Sequence, residues 1–78
     1  MKEKIYELLS GEFADVDFNY EGDLVDDEIL DSFKVTQIVF MLSKEFSVTI
    51  PFEEIRNENL NSIEAMAAMV ERLKNASA

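Results

Sequence analysis

The chain has 78 residues, 17 of them acidic and 7 basic, for a formal net charge of −10, and it contains neither Cys nor His. Such a length accommodates one domain, expected over residues 1–78. The composition excludes disulfides, thiolate metal sites and Ser-His-Asp or Cys-His catalysis within the chain, and its charge disfavours nucleic acid and anionic membranes while favouring basic protein surfaces and divalent cations.

The start, Met-Lys-Glu-Lys followed by Ile5-Tyr6-Glu7-Leu8-Leu9-Ser10, is too short and too charged for the apolar region of a signal peptide. No apolar run approaches the roughly 20 residues of a membrane span. A cytoplasmic protein without membrane insertion is therefore expected. Residues 2–10 form a predicted helix, because Ile5, Leu8 and Leu9 stand at i, i+3 and i+4 on one face. Gly11 is the expected stop, in the glycine position that commonly ends helices.

Residues 12–31 hold nine acidic residues and no basic one. Phe13, Val16, Phe18, Tyr20, Leu24, Val25, Ile29 and Leu30 are scattered among them without a sustained period. A disordered segment would lack those aromatics, so a long ordered loop pinned by its apolar side chains is expected. Loops of this length in compact domains tend to be functional. Asp15, Asp17 and Asn19 match the first ligands of an EF-hand loop. The match then fails, with Tyr20 where the sharp turn needs Gly and Asp26 where a bidentate Glu belongs. No specific metal site is predicted.

The loop leads to Leu30-Asp31-Ser32-Phe33 and a predicted helix over Phe33–Phe46. Ser32 has two readings at this junction. It is either the N-cap, its hydroxyl accepting a backbone N–H of the first turn, or the attachment point of a phosphate-linked group near the positive end of the helix dipole. Along the helix, Val35, Ile38, Val39, Leu42 and Phe46 make one narrow apolar stripe, expected to be core. Phe33, Gln37, Phe40, Met41 and Lys44 fall on roughly the opposite side. A solvated face does not need two Phe and a Met. Either a second helix covers them or they form a docking surface beside Ser32.

Pro51 ends the helical stretch and biases Ile50 to an extended conformation. Phe52 to Ile55 is predicted as one helical turn and Arg56 to Leu60 as a polar connection. A last helix is predicted over residues 62–74, with Asn61 and Glu64 as a variant capping box and Ile63, Met66, Ala67, Val70 and Leu73 as its apolar face. Ala65, Ala67 and Ala68 permit close helix approach, and residues 75–78 are expected to fray. With no β-rich segment or repeat, the predicted fold is all-α: a small antiparallel three- to four-helix bundle with a long loop between the first and second helices.

Asp31-Ser32-Phe33 at the head of an amphipathic helix resembles the Asp-Ser-Leu motif of acyl carrier proteins. Asp26-Asp27-Glu28-Ile29-Leu30 is similar to that family's acidic approach to the serine. Glu45-Phe46, Val48 and Ile50-Pro51 resemble its helix ending and following turn, and Asn59 to Ala65 resembles the lead into its last helix. The resemblance extends in layout over residues 1–74 and in detail over 24–73. It implies a single acyl-carrier-like domain that is a carrier and not an enzyme, with no catalytic residue of its own. In such proteins a separate phosphopantetheinyl transferase esterifies the motif serine, here Ser32, with phosphopantetheine from coenzyme A. The arm's thiol then holds an acyl or aminoacyl group as a thioester and shuttles it between loading and processing enzymes. A chain with no Cys or His is thereby supplied with the thiol it lacks.

The resemblance also implies a partner-binding face beside the serine: Asp31, Phe33, Lys34, Gln37, Phe40, Met41 and Lys44. Here the chain departs from many fatty-acid carriers. Lys34 stands where they have an acidic residue, Gln37, Ser43 and Lys44 occupy an otherwise acidic face, and Phe33 replaces Leu. D-alanyl carriers and stand-alone carriers of peptide or polyketide assembly are also similar in layout, so subtype and cargo stay open. A monomer is the expectation for a shuttle. The competing reading is a non-catalytic helical adaptor that binds a partner through Phe33, Phe40 and Met41, with Ser32 merely a cap.

Overall fold

A computed structural model describes residues 1–77. Four α-helices carry the fold: α1 Lys2–Glu12, α2 Ser32–Phe46, α3 Asn57–Leu60 and α4 Ile63–Ser77, with a 3-10 turn at Phe52–Glu54 between α2 and α3. No strand occurs among the described residues, so the protein is an all-α bundle with a long loop between its first two helices. The bundle has a Cα radius of gyration of 11.5 Å, the value of about 11.5 Å that the size law gives for a compact chain of this length. No helix among the described residues is long and apolar enough to cross a membrane.

The core is built from the apolar stripes. Ile5 and Leu9 of α1, Ile38 and Leu42 of α2, Leu60 of α3, and Met66, Met69 and Val70 of α4 are all buried. Val35, Val39 and Phe46 flank the α2 stripe as half-buried neighbours of this cluster. Helix α4 packs against both α1 and α3. Ala67 lies in the core, whereas Ala68 faces outward, so only part of the alanine cluster serves close packing. Met69, absent from the predicted apolar face, is fully buried. The apolar stripe of α4 is therefore wider than the predicted face.

Several helix ends differ from expectation. Gly11 does not stop α1, which continues to Glu12, and the Phe13 N–H donates to the Leu9 carbonyl at 2.8 Å. The burial of Phe13 accompanies this ending: two more helical residues bring the ring into the core. The predicted connection at Arg56–Leu60 contains α3, because Leu60 is drawn into the core and a helical turn is the shortest way to place it there. Ser62, not Asn61, caps α4: the Ser62 hydroxyl accepts the Ala65 N–H at 3.0 Å. Residues 75–77 continue the helix instead of fraying; Ala78 lies outside the described residues.

The long loop is ordered by its side chains, as its aromatics predict. Phe13, Phe18, Leu24 and Leu30 are buried and Val16 and Val25 half-buried, while Tyr20 and Ile29 lie at the surface. The Phe13 and Phe18 rings pack with centroids 6.4 Å apart at 57°, a tilted arrangement within the favourable range for aromatic pairs. The Asp17 carboxylate accepts the Asn19 N–H at 2.9 Å. That closes a local turn of the kind short acidic side chains make.

Candidate functional site

The Asp31-Ser32 junction is built by two events in the chain. Leu30 is buried, which fixes where the loop ends. Asp31 then adopts extended backbone, φ −90° and ψ 176°, and its Oδ1 accepts the Lys34 N–H at 2.9 Å. Asp31 is therefore the N-cap, and the capping reading of Ser32 is corrected. The physical reason is one of register: Asp and Ser are comparable caps, and the buried Leu30 sets the first helical turn one residue earlier than the apolar pattern suggests.

Ser32 is thus the first helical residue and is exposed. Its carbonyl accepts the Thr36 hydroxyl at 2.9 Å, but its own hydroxyl makes no hydrogen bond among the described residues. No base activates it, because the chain has no His and the nearby Lys34 ammonium instead lies 3.9 Å from the Asp31 carboxylate. An unactivated serine hydroxyl is a weak nucleophile. The arrangement leaves the hydroxyl accessible and supplies no neighbouring base to activate it. Among the described residues no group of three or more carboxylate, His or Cys side chains is disposed to hold a metal.

The loop before Ser32 is braced from the far side of the bundle. The Leu24 N–H donates to the Asn61 carbonyl at 2.9 Å. The Val25 and Asp26 N–H groups both donate to Asn61 Oδ1, at 2.9 and 3.0 Å. Asp26 accepts the amide of Asn57 at 2.8 Å on one oxygen and that of Asn61 at 3.1 Å on the other. The Leu30 N–H returns to the Leu24 carbonyl at 2.9 Å. Nearby, the Tyr20 hydroxyl donates to Asp27 Oδ2 at 2.7 Å. That bond, with a second from the Asp23 N–H, holds the Asp27 carboxyl below its ordinary value and lifts the Tyr20 phenol above its own. Gly22 leaves room for this pair: a Cβ there would lie 2.5 Å from Asp27 Oδ2 and 2.7 Å from the Tyr20 ring.

The face predicted beside Ser32 divides. Phe33 and Phe40 are 71% and 68% exposed and share one side of α2 seven residues apart. Lys44 and Asp31 are also exposed. Lys34 and Gln37 are half-buried, and Met41 packs against the core. No second helix covers the two Phe rings among the described residues, so that alternative is corrected. Met41 departs from the docking face because, one residue from Leu42, it reaches the edge of the core stripe. The sequence reading missed Phe52, 86% exposed on the 3-10 turn. It also missed the bracing by Asn57 and Asn61, whose partners lie far away in sequence and leave no local pattern.

The chain is thus an all-α bundle with an exposed serine hydroxyl at the start of its second helix. A family model described as "Phosphopantetheine attachment site" matches residues 3–70. The chain belongs to this family of carrier domains, whose cofactor is covalently attached phosphopantetheine, and it is not an enzyme. No curated protein and no solved structure matched it.

Proposed function

We propose that Ser32 is the phosphopantetheine attachment point and that the chain, as a single domain over residues 1–78, holds acyl or aminoacyl groups as thioesters and shuttles them between partner enzymes. The observation that carries this reading is the state of the Ser32 hydroxyl: exposed, without a hydrogen bond among the described residues, and next to a cap that Asp31 supplies in its stead. A capping serine would have to break its own bond to be modified, and Ser32 does not. The first turn of a helix also suits a phosphodiester, although the Asp31 carboxylate opposes it. When attached, the arm supplies the thiol that this cysteine-free chain lacks. The loading partner is a separate phosphopantetheinyl transferase that draws on coenzyme A.

The partner face consists of Asp31, Phe33, Lys34, Gln37, Phe40, Met41 and Lys44, with Phe33 and Phe40 as its apolar anchors, Met41 contributing only an edge. Two exposed rings in line on one helix also favour a second reading, an adaptor that binds a partner without any modification. A monomer in the cytoplasm suits the shuttle role.

Intact mass after incubation with coenzyme A and a broad-specificity phosphopantetheinyl transferase decides between the two. A gain of one phosphopantetheine, abolished in Ser32→Ala, is expected. An unchanged mass, with the transferase active on a control carrier, refutes the carrier reading and favours the adaptor.

A further inference from the structure

A polar cluster outside the serine ties the loop to α3 and to the turn between α3 and α4. Five hydrogen bonds join residues 24–26 to Asn57 and Asn61: Leu24 N–H to the Asn61 carbonyl, Val25 and Asp26 N–H to Asn61 Oδ1, and the two amide groups to the two oxygens of Asp26. Asn61 is used completely, its backbone carbonyl, side-chain oxygen and side-chain nitrogen all engaged with the loop. It is half-buried in the two-residue turn that joins α3 to α4. From it the hydrogen-bond path runs through Leu24 to the Leu30 N–H. Leu30 directly precedes the Asp31 cap and Ser32.

We propose that Asn61, with Asn57 and Asp26 as its partners, is a positioning residue for Ser32: it fixes the segment 24–30 so that the serine is presented in one geometry to the transferase. This rests on Ser32 being the attachment point. Groups that orient a reacting residue from outside gain their effect by limiting its alternatives, and small misplacements of a reacting atom lower rates substantially. The Asn61–Asp26 pair is suited to the role because its complementarity is directional. Asn61 offers an acceptor to two backbone N–H groups and a donor to a carboxylate, and Asp26 has a second donor in Asn57. Asn61 is half-buried while Asp26 and Asn57 lie at the surface, so losing the bond between Asn61 and the Asp26 carboxylate shifts a rate by up to about tenfold.

The test is an exchange of the two side chains in the full-length protein. Asn61→Asp sets two carboxylates against each other. Asp26→Asn leaves one amide donor facing another. The double variant Asp26→Asn/Asn61→Asp restores every bond with roles reversed: the aspartate at 61 accepts the two N–H groups and the new amide, and the amide oxygen at 26 accepts from Asn57. It also keeps the net charge at −10, one carboxylate removed and one added. Transferase loading is measured as kcat and KM separately, together with amide exchange at Leu30 and thermal unfolding. The expected result is a loss of about tenfold in kcat/KM for each single variant, faster Leu30 exchange, and recovery of both in the double variant. Wild-type loading in both single variants, or a double variant as slow as Asn61→Asp, overturns the assignment while Ser32 keeps its role. Failure of the wild type to load, or loading of Ser32→Ala, overturns the Ser32 reading and this assignment with it. Where Asn61→Asp does not fold, the double variant decides: folded and normally loaded supports the pairing, folded and slow overturns it.

Discussion

Replacing Asp31 and Ser32 in turn separates the two roles that meet at the start of α2. Asp31→Ala removes the acceptor of the Lys34 N–H, a 2.9 Å bond at the cap. Loss of an N-cap of this type costs about 1 kcal/mol, within a range of roughly 0.5–2. The accompanying ion pair with Lys34 adds almost nothing, since it is 3.9 Å long and the Asp31 side chain is 64% exposed. For a domain of this size, about 1 kcal/mol corresponds to a fall in melting temperature of roughly 4–8 °C. Ser32→Ala removes a hydroxyl with no hydrogen bond among the described residues, from a first-turn position where Ala is a good helix former. Its effect is expected within about 0.5 kcal/mol, a shift of no more than about 4 °C. Asp31→Asn is the control, because it keeps a capping oxygen while removing the charge, and it should melt within about 2 °C of wild type. The assay is thermal unfolding followed by far-UV circular dichroism on the three variants in one buffer. A marked loss in Ser32→Ala with none in Asp31→Ala would refute the assignment of the cap and return Ser32 to a purely structural role.

Three further outcomes are expected. Gly11→Ala should stabilise the protein by about 0.5–1 kcal/mol, since Gly11 lies within α1 with nothing within 4 Å of a Cβ; a lower melting temperature would contradict the helical assignment there. Phe40→Ala should leave stability within about 0.5 kcal/mol of wild type because the ring is 68% exposed, while weakening partner binding about tenfold or more; a large loss of stability with unchanged binding, measured by titration calorimetry, would place the ring in the core. The Tyr20–Asp27 bond should shape the pH profile of stability. Asp27 titrates below its ordinary value of 3.8 in the folded chain, so its contribution is present above that pH and is lost as pH falls through the lowered value. Tyr20 titrates above its ordinary value of 10.0, so its contribution is present below that pH and is lost as pH rises through the raised value. Tyr20→Phe should therefore flatten both limbs of a denaturation series against pH, and an unaltered profile would show that the bond contributes nothing.

The helices were legible because their signal is local. Val35, Ile38, Val39 and Leu42 repeat at helical spacing, so burying Ile38 and Leu42 brings Val35 and Val39 to the edge of the core, and Ile5 with Leu9 and Met66 with Val70 are likewise buried together. The aromatics of the loop likewise announced order, since Phe13 and Phe18 had to find a core. The serine was legible as a candidate for the same reason: a short polar residue before an apolar period marks a helix start, whatever its further role. Choosing between Asp31 and Ser32 as the cap was not legible. Two adjacent residues of similar capping strength differ by a few tenths of a kcal/mol, and the burial of Leu30 settled the register.

By itself the sequence determined an all-helical chain, a long ordered acidic loop and a serine at the head of the second main helix, because apolar periodicity and turn chemistry act over a few residues. Tertiary structure decided which face of α2 stayed bare, since the exposure of Phe33 and Phe40 depends on where the other helices run. It turned Leu60 from a connection into the anchor of α3. It also took Asn61 from the cap of α4 and gave it to Val25 and Asp26, about 35 residues away. A side-chain amide can satisfy either neighbour equally well, and only the packed bundle brings the loop close enough to be chosen.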